Sequence, residues 1–455
     1  MAEGAAQRIV RAAELEAIAD DPTQILDEAI QIAAYIEAPE LYSYIALRLM
    51  EVGQDEQASQ LFDRAIHLLT IALNASDSAD LKYDRLSSTR NVAVDLAVAG
   101  RFDQALKLTE ILPQEIHRVG GNKVEIWTEI AILMAEDGQN ATANALLSEA
   151  LELAQSLTDG HLSNGSCYIE KGDALAAVVD GLSAVSRRTE ALNVSEDTPS
   201  CFDVYGQIAG DYQAYAYSQL VSDSTTLVEV EEVISKIQLT VDSRTGEGYA
   251  SVAAAARRLV ELGEIGRALQ VVELIEAPPE GKTLYDLVQL KARGYRDDLF
   301  VAIAIALADA GKFERAMQIA ENIVASSSKS VALINMSEAL NEAGQPEQAD
   351  EVFSQAMSIL FEDSRIGFTH DAGLVALALT KAEKIDEALW AAAFLANDYQ
   401  SDSLRLIAVE LVRLGYVDAA LQTTLFESIP VRRAKLLASI ATEMVATQNS
   451  GTTDL

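Results

Sequence analysis

The feature that most constrains this chain is a short residue frame that keeps returning along it. In RDDLFVAIAIALADAGKFERAMQIAENI, Ile303, Ala304 and Leu307 share one helical face before Gly311. Phe313, Ala316, Ala320 and Ile323 line a second face after it. The spacing predicts helix, tight turn, helix. SVALINMSEALNEAGQPEQADEVFSQAMSIL repeats the order 33 residues later with Met336, Ser337, Leu340, Gly344, Ala349, Phe353 and Ala356. The frame recurs around Gly53 (Ile45, Ala46, Leu49, Ala58, Phe62, Ala65), Gly100 (Val92, Ala93, Leu96, Phe102, Ala105) and Gly138 (Ile130, Ala131, Met134, Ala143, Leu147, Ala150). It returns again around Gly263 and Gly415, and one copy carries Glu383 in place of the glycine while keeping Val375, Ala376, Leu379 and Ala388.

Each position has a physical task. A glycine just past a helix adopts the left-handed conformation without a Cβ clash, so the chain reverses within a few residues. Small residues such as Ala304 and Ala316 let two antiparallel helices approach at about 8–10 Å. Bulkier ones such as Phe353 and Leu147 fill the space against the next pair. One helix pair cannot bury both its faces, so stability must come from stacked neighbours.

This order of hydrophobe, small residue, hydrophobe, Gly, then aromatic, Ala, bulky residue, Ala resembles the tetratricopeptide repeat, whose period is about 34 residues. The resemblance covers most of residues 38–446, with turn-to-turn spacings of 47, 38, 48, 33, 39 and 32. ALADAGKFERAMQIAENI is also similar to bacterial helical-repeat proteins, cyanobacterial ones among them. The resemblance implies an all-α chain, an α-solenoid wound as a right-handed superhelix of antiparallel helix pairs. It further implies a concave groove lined by positions 13, 10, 6 and 3 residues before each turn. Here those include Leu47, Thr128, Val412, Arg90, Arg257 and Ile334, with Glu338, Asn341, Arg405 and the adjacent Arg413. Members that grip a C-terminal carboxylate carry Lys and Asn at such places, whereas this chain has Ser43, Arg90, Thr128 and Ala253. An apolar groove with scattered arginines instead suits an amphipathic helix or extended segment with a few acidic anchors, although several of these apolar positions could equally pack against neighbouring repeats.

Along the chain, residues 1–157 read as N-terminal helical repeats, opening with helices over 5–19 and 24–36. Residues 158–246 read as degenerate repeats with turn-rich insertions, a helix over 174–192 and a further pair, a tyrosine-rich helix followed by one near 227–237, whose turn glycine is lost. Residues 247–446 carry regular repeats again, and 447–455 read as a disordered polar tail. Seventy Asp and Glu oppose 34 Lys and Arg, a net charge of -36. That field works against a phosphate backbone, so nucleic acid is not the expected partner. Residues 1–245 hold 40 acids against 16 bases, and residues 246–455 hold 30 against 18. The acids either coat solvated helices or steer a basic protein segment to the first half. The longest apolar run, Leu299–Ala308, is ten residues, short of the roughly 18 that span a bilayer. The start of the chain lacks an apolar stretch of signal-peptide length, so the expected compartment is the cytoplasm.

Motifs of chemistry are sparse. His161, Cys167, Glu170, Cys201 and Asp203 could gather into a metal or redox site, but the cysteines lie 34 residues apart without CxxC spacing. Buried thiols at equivalent repeat positions explain them more simply. Phosphate-loop, nucleophile-elbow and HExxH patterns do not occur, so no cofactor, metal or catalytic residue is expected. Tyr205, Tyr212, Tyr215 and Tyr217 suit either an interface or packing between repeats. Arg432, Arg433 and Lys435 are too short a run for nucleic acid. The reading is a protein-binding scaffold or adaptor without catalysis. The alternative is an enzyme or small-ligand sensor with a site built by 158–246. The frame itself makes a prediction: Gly311→Val and Ala316→Leu both lower the thermal melting point, through turn strain and overpacking. Unchanged circular-dichroism melts for both would sink it.

Overall fold

The computed structural model describes residues 18–74, 79–112, 119–157, 160–161, 167–168, 170–198, 200–202, 208–240, 246–273, 275, 285–363, 372–393 and 401–450. The chain forms two compact units. One comprises residues 1–76, 307–320 and 325–455, and the other residues 77–306 and 321–324.

The first unit begins with α1 (Pro22–Ile36), α2 (Pro39–Glu51) and α3 (Asp55–Asn74). The second unit follows with α4 (Ala79–Val98), α5 (Phe102–Glu110), α6 (Val119–Glu136), α7 (Asn140–Ser156), β1 (Gly160–His161) and β2 (Cys167–Tyr168). It continues with α8 (Glu170–Ala184), α9 (Arg188–Asp197), β3 (Ser200–Phe202), β4 (Ile208–Asp211), α10 (Tyr212–Ser222) and α11 (Leu227–Thr240). Next come α12 (Gly246–Glu261), α13 (Ile265–Val272) and α14 (Tyr285–Asp309), within which the boundary between the units falls. The first unit is completed by α15 (Phe313–Ala320), α16 (Ser326–Glu342), α17 (Pro346–Asp363), α18 (Ala372–Lys381), α19 (Ile385–Ala392), α20 (Ser401–Arg413), α21 (Val417–Thr423) and α22 (Pro430–Ser450). The architecture is all-α, built of antiparallel pairs, with two short antiparallel ladders, β1–β2 and β3–β4.

One backbone geometry closes the pairs. Gly53, Gly100, Gly138, Gly263, Gly311, Gly344 and Gly415 all have φ between 70° and 85°. At Gly53 the glycine N–H donates to the Met50 carbonyl (2.9 Å), and the Gln54 N–H donates to the Leu49 carbonyl (2.8 Å). This is the Schellman pattern, which satisfies carbonyls that a helix end otherwise leaves open. It recurs at every one of these glycines, and also at Ser186 and Glu383, whose φ values are 65° and 55°. The carbonyl taking the longer bond belongs in each case to a buried Leu or Met: Leu49, Leu96, Met134, Leu182, Leu259, Leu307, Leu340, Leu379 or Leu411. Five residues after each turn residue stands a buried alanine, from Ala58 to Ala420.

The Ser186 turn corrects the single helix expected over 174–192: Ser183 and Leu182 supply the accepting carbonyls, and the chain divides into α8 and α9. The pair expected after it is present as α10 and α11. Its turn lacks the left-handed residue and is closed by side chains. The Ser224 hydroxyl donates to the Leu220 carbonyl (2.8 Å), while Thr226 and Glu229 cap each other's backbone N–H groups at 3.0 and 3.3 Å. The turn-rich stretches of 158–246 carry the two ladders, which place Cys167 on β2 and Cys201 on β3. Of the opening helix expected over 5–19, residues 5–17 lie outside the described residues and 18–19 belong to a turn; of the tail, 451–455 lie outside them, whereas 447–450 belong to α22.

In the second unit the first helices of successive pairs stack in sequence order, α4 on α6, α6 on α8, α8 on α10 and α10 on α12. In the first unit α16, α18, α20 and α22 stack likewise, and α22 then packs on α1 and α2. There Tyr44 Oη and Ser439 Oγ share a hydrogen bond of 2.7 Å across 395 residues of sequence, with the Lys435 ammonium 5.3 Å from the Tyr44 ring centre. Within this unit the repeat stacking therefore continues from the end of the chain to its beginning. Among the described residues, no helix is long and apolar enough to cross a membrane.

Ser186→Gly and Glu383→Gly relieve a left-handed conformation that costs a non-glycine residue roughly 1–2 kcal/mol, against an entropic loss of roughly 0.5–1 kcal/mol for glycine. Each is expected to raise the urea midpoint slightly, and the pair together measurably. A lower midpoint for the double variant overturns the assignment of these two turns.

Candidate functional site

The stack α4, α6, α8, α10 in the second unit encloses a cavity of about 240 Å³. Arg90 of α4 forms one wall. Its guanidinium donates to Glu125 at 2.6 Å and, by a shorter bond, to Glu129, both on α6. Thr128, from the same face of α6, also lines the space. Asp173 and Asp180 enter from α8, with Ala176 and Ala177 between them keeping the wall low, and Tyr215 and Gln219 close it from α10. The neighbouring Gly181 is set by packing. A Cβ there would meet Leu147 Cδ2 at 2.5 Å and Thr128 Cγ2 at 2.6 Å, so only glycine brings α8 this close to α6 and α7.

The lining residues share a register. Glu125 and Thr128 stand 13 and 10 residues before Gly138, and Arg90 stands 10 before Gly100. Counted from Ser186, Asp173, Ala176 and Asp180 stand 13, 10 and 6 residues ahead. The groove positions implied by the repeat resemblance are thus the ones that surround the cavity in this unit.

Four carboxylates face one guanidinium, and burial makes their charges costly. Asp180 is pushed up to about 6, first by burial and then by the negative charges of Asp223 and Glu129. Burial also raises Glu125, with Glu129 adding to the shift and Arg90 opposing it. Asp223 is raised by burial against the lowering effects of Ser183, Arg188 and Arg258. Arg90 loses hydration on burial, yet the Glu129 hydrogen bond and the charges of Glu129 and Glu125 more than compensate, raising its pKa.

Of the groove residues expected from sequence, Arg90 and Thr128 reach this cavity. Arg90 is engaged by two carboxylates, so it does not stand ready for an acidic anchor, which corrects that expectation. Arg257 is exposed on α12 of the same unit. Ile334 is fully buried and forms core rather than groove. Leu47 and Val412 are buried too. Asn341 is exposed near the end of α16, where its carbonyl accepts the Gly344 N–H. Arg405 lies 3.9 Å from Asp402, and Arg413 pairs with Glu443 at 2.8 Å and Glu410 at 3.5 Å. The tyrosines separate: Tyr217 is buried, whereas Tyr215, 49% exposed, faces the cavity. Asp173, Asp180 and Glu129 are the residues that sequence reasoning missed. LSAVSRRTEAL carries the frame with Ser186 in the glycine position, and counting back from it would have found both aspartates. Among the described residues, no group of three His, Cys, Asp or Glu side chains is placed to hold a metal ion.

Asp180 links the site to stability. The folded chain holds its proton up to about pH 6, while an unfolded aspartate releases it near 3.8. The folded state therefore binds more protons between those values, and stability falls as pH rises through that window and stays lower above it. Asp180→Asn is expected to stabilise the protein by about 2 kcal/mol at pH 7.5 and to have little effect near pH 3.5. Urea unfolding at both pH values checks this, and an equal effect at the two overturns it.

No protein-family model matches the sequence, and no curated protein does. Among solved structures, the chain is similar to Ton1535 from Thermococcus onnurineus NA1, with 14% identity, 86% of this chain and 96% of the other covered, and a TM-score of 0.27. It is similar also to the human IFIT1 dimer with PPP-AAAA, with 14% identity, coverage of 89% and 93%, and a TM-score of 0.25. Likenesses this distant carry no conclusion about ligand or partner.

Proposed function

We propose that this chain is a non-catalytic scaffold or adaptor, acting in the cytoplasm, that holds a peptide or helical segment of a protein partner on the first-helix face of its second unit. The observation that carries the reading is the run of three consecutive first helices, α4, α6 and α8, whose equivalent positions open into one shared cavity that α10 closes. A face assembled from equivalent positions of successive repeats suits a partner that is itself extended, because each repeat offers it the next contact.

The charge of that face specifies the partner. Arg90 is neutralised by Glu125 and Glu129, which leaves Asp180 to set the local potential. The acidic excess in residues 1–245 extends the same sign over the surrounding sequence. A basic segment is drawn toward such a field and a nucleic-acid backbone is repelled by it. The segment expected here is therefore cationic, in contrast to the acidic anchors suggested by arginines read in sequence alone.

Fluorescence anisotropy of the full chain with two amphipathic peptides of equal length, one lysine-rich and one glutamate-rich, tests the reading. The lysine-rich peptide is expected to bind, with affinity falling steeply between 50 and 300 mM salt as the field is screened within roughly 10 Å. Equal binding of both peptides, or binding of neither, overturns it.

A further inference from the structure

The hydroxyl of Thr128 has no task in the fold. Thr128 is 1% exposed, lines the acidic cavity, and its Oγ1 has no hydrogen-bond partner in the protein. Other helical threonines resolve the same problem locally. Thr70, Thr380 and Thr442 each donate to the carbonyl four residues earlier, at 2.8, 2.8 and 2.9 Å. A buried hydroxyl left without a partner costs about 1–3 kcal/mol, so Thr128 is held in a conformation that the apo fold does not reward.

We infer that the cavity is a binding site for a single primary ammonium group, received by the Asp180 carboxylate and the Thr128 hydroxyl. An ammonium carries three donors and no acceptor. Asp180 offers an anionic acceptor on α8, and Thr128 offers a neutral one on α6. Glu125 and Glu129 already spend oxygens on the Arg90 fork, and the remaining pair of acceptors, one on α8 and one on α6, suits a compact ammonium with three donors better than a planar guanidinium. Arg90 fixes the far wall and limits the pocket to one added cation, since it already offsets part of the negative charge. Tyr215 places an aromatic ring at the opening, a surface favourable to the alkyl stem or to the cation itself. The ligand also resolves two conflicts of the apo site together, the unpartnered hydroxyl and the mutual repulsion of Asp180 with Glu129 and Asp223.

This chemistry has two sources, the side chain of a lysine on a protein partner or a free primary amine. The first source rests on the scaffold reading above, and the second does not. Isothermal titration calorimetry of the full chain at pH 7.5 separates them with four probes: n-butylamine, 1,4-diaminobutane, tetramethylammonium, and a lysine-bearing peptide compared with its Nε-acetylated form. The amines and the unmodified peptide are expected to bind, and tetramethylammonium, which has charge but no donors, is expected to bind at least tenfold more weakly. Asp180→Asn is expected to lower amine affinity at least tenfold and Thr128→Val about threefold or more. Neither substitution removes a contact the apo fold depends on, so lost binding is not lost folding, and the circular-dichroism melts of both variants check this. Amine binding sensitive to both substitutions, with no difference between the two peptides, sustains the pocket and overturns the scaffold reading. Peptide binding that ignores both substitutions does the reverse. Tetramethylammonium binding as tightly as butylamine, or no amine binding at all, overturns the ammonium site.

Discussion

The left-handed turn that closes nine of the helix pairs is the constraint on which the rest of this structure depends. Its two hydrogen bonds reverse the chain within a single residue, and the second helix then starts at a fixed point relative to the first. That fixed start explains why the fifth residue after every such turn is a buried alanine, whatever else varies nearby. A larger side chain at that position would push the pair apart, and the stacking of first helices that builds both units would lose its spacing. The turn also sets the rotational phase of each first helix, so positions 13, 10 and 6 residues before it come to share one face. The cavity is a consequence of that phasing repeated in α4, α6 and α8.

The frame was legible in the sequence wherever glycine marked it, and at Glu383, because the flanking apolar residues survive there. It was missed at Ser186, where the turn residue is a polar type common in loops and the following SRRTE reads as ordinary helix surface. That one omission hid Asp173 and Asp180 together, since their place on the groove face is defined only by counting from the turn. The two ladders left no readable signal because strands of two to four residues are too short for an alternating pattern. The packing of α22 on α1 and α2 was equally hidden: a Tyr44–Ser439 bond joins residues 395 apart, and neither residue is distinctive on its own.

Arg90 shows how a residue can be placed correctly and still be misread. Its position pointed to the groove, and its charge suggested an acidic ligand. The partners that cancel that charge, Glu125 and Glu129, lie 35 and 39 residues further on, a repeat away in sequence and within bonding distance in space. In a repeat protein the electrostatic neighbours of a groove residue sit mostly at matching positions of the next repeat. Charge on such a face must therefore be summed across adjacent helices before a partner is inferred.

Three local conflicts meet on one side of α8. Asp180 is buried beside other carboxylates, Gly181 stands within a helix, where glycine is unfavourable, and Thr128 opposite keeps an unbonded hydroxyl. Gly181 lies in the last turn of α8, and alanine at 176 and 177 leaves space that larger side chains could have filled. Each choice works against folding. Where a buried carboxylate and an unbonded hydroxyl line one cavity, a small cation relieves both, and a binding role accounts for them jointly.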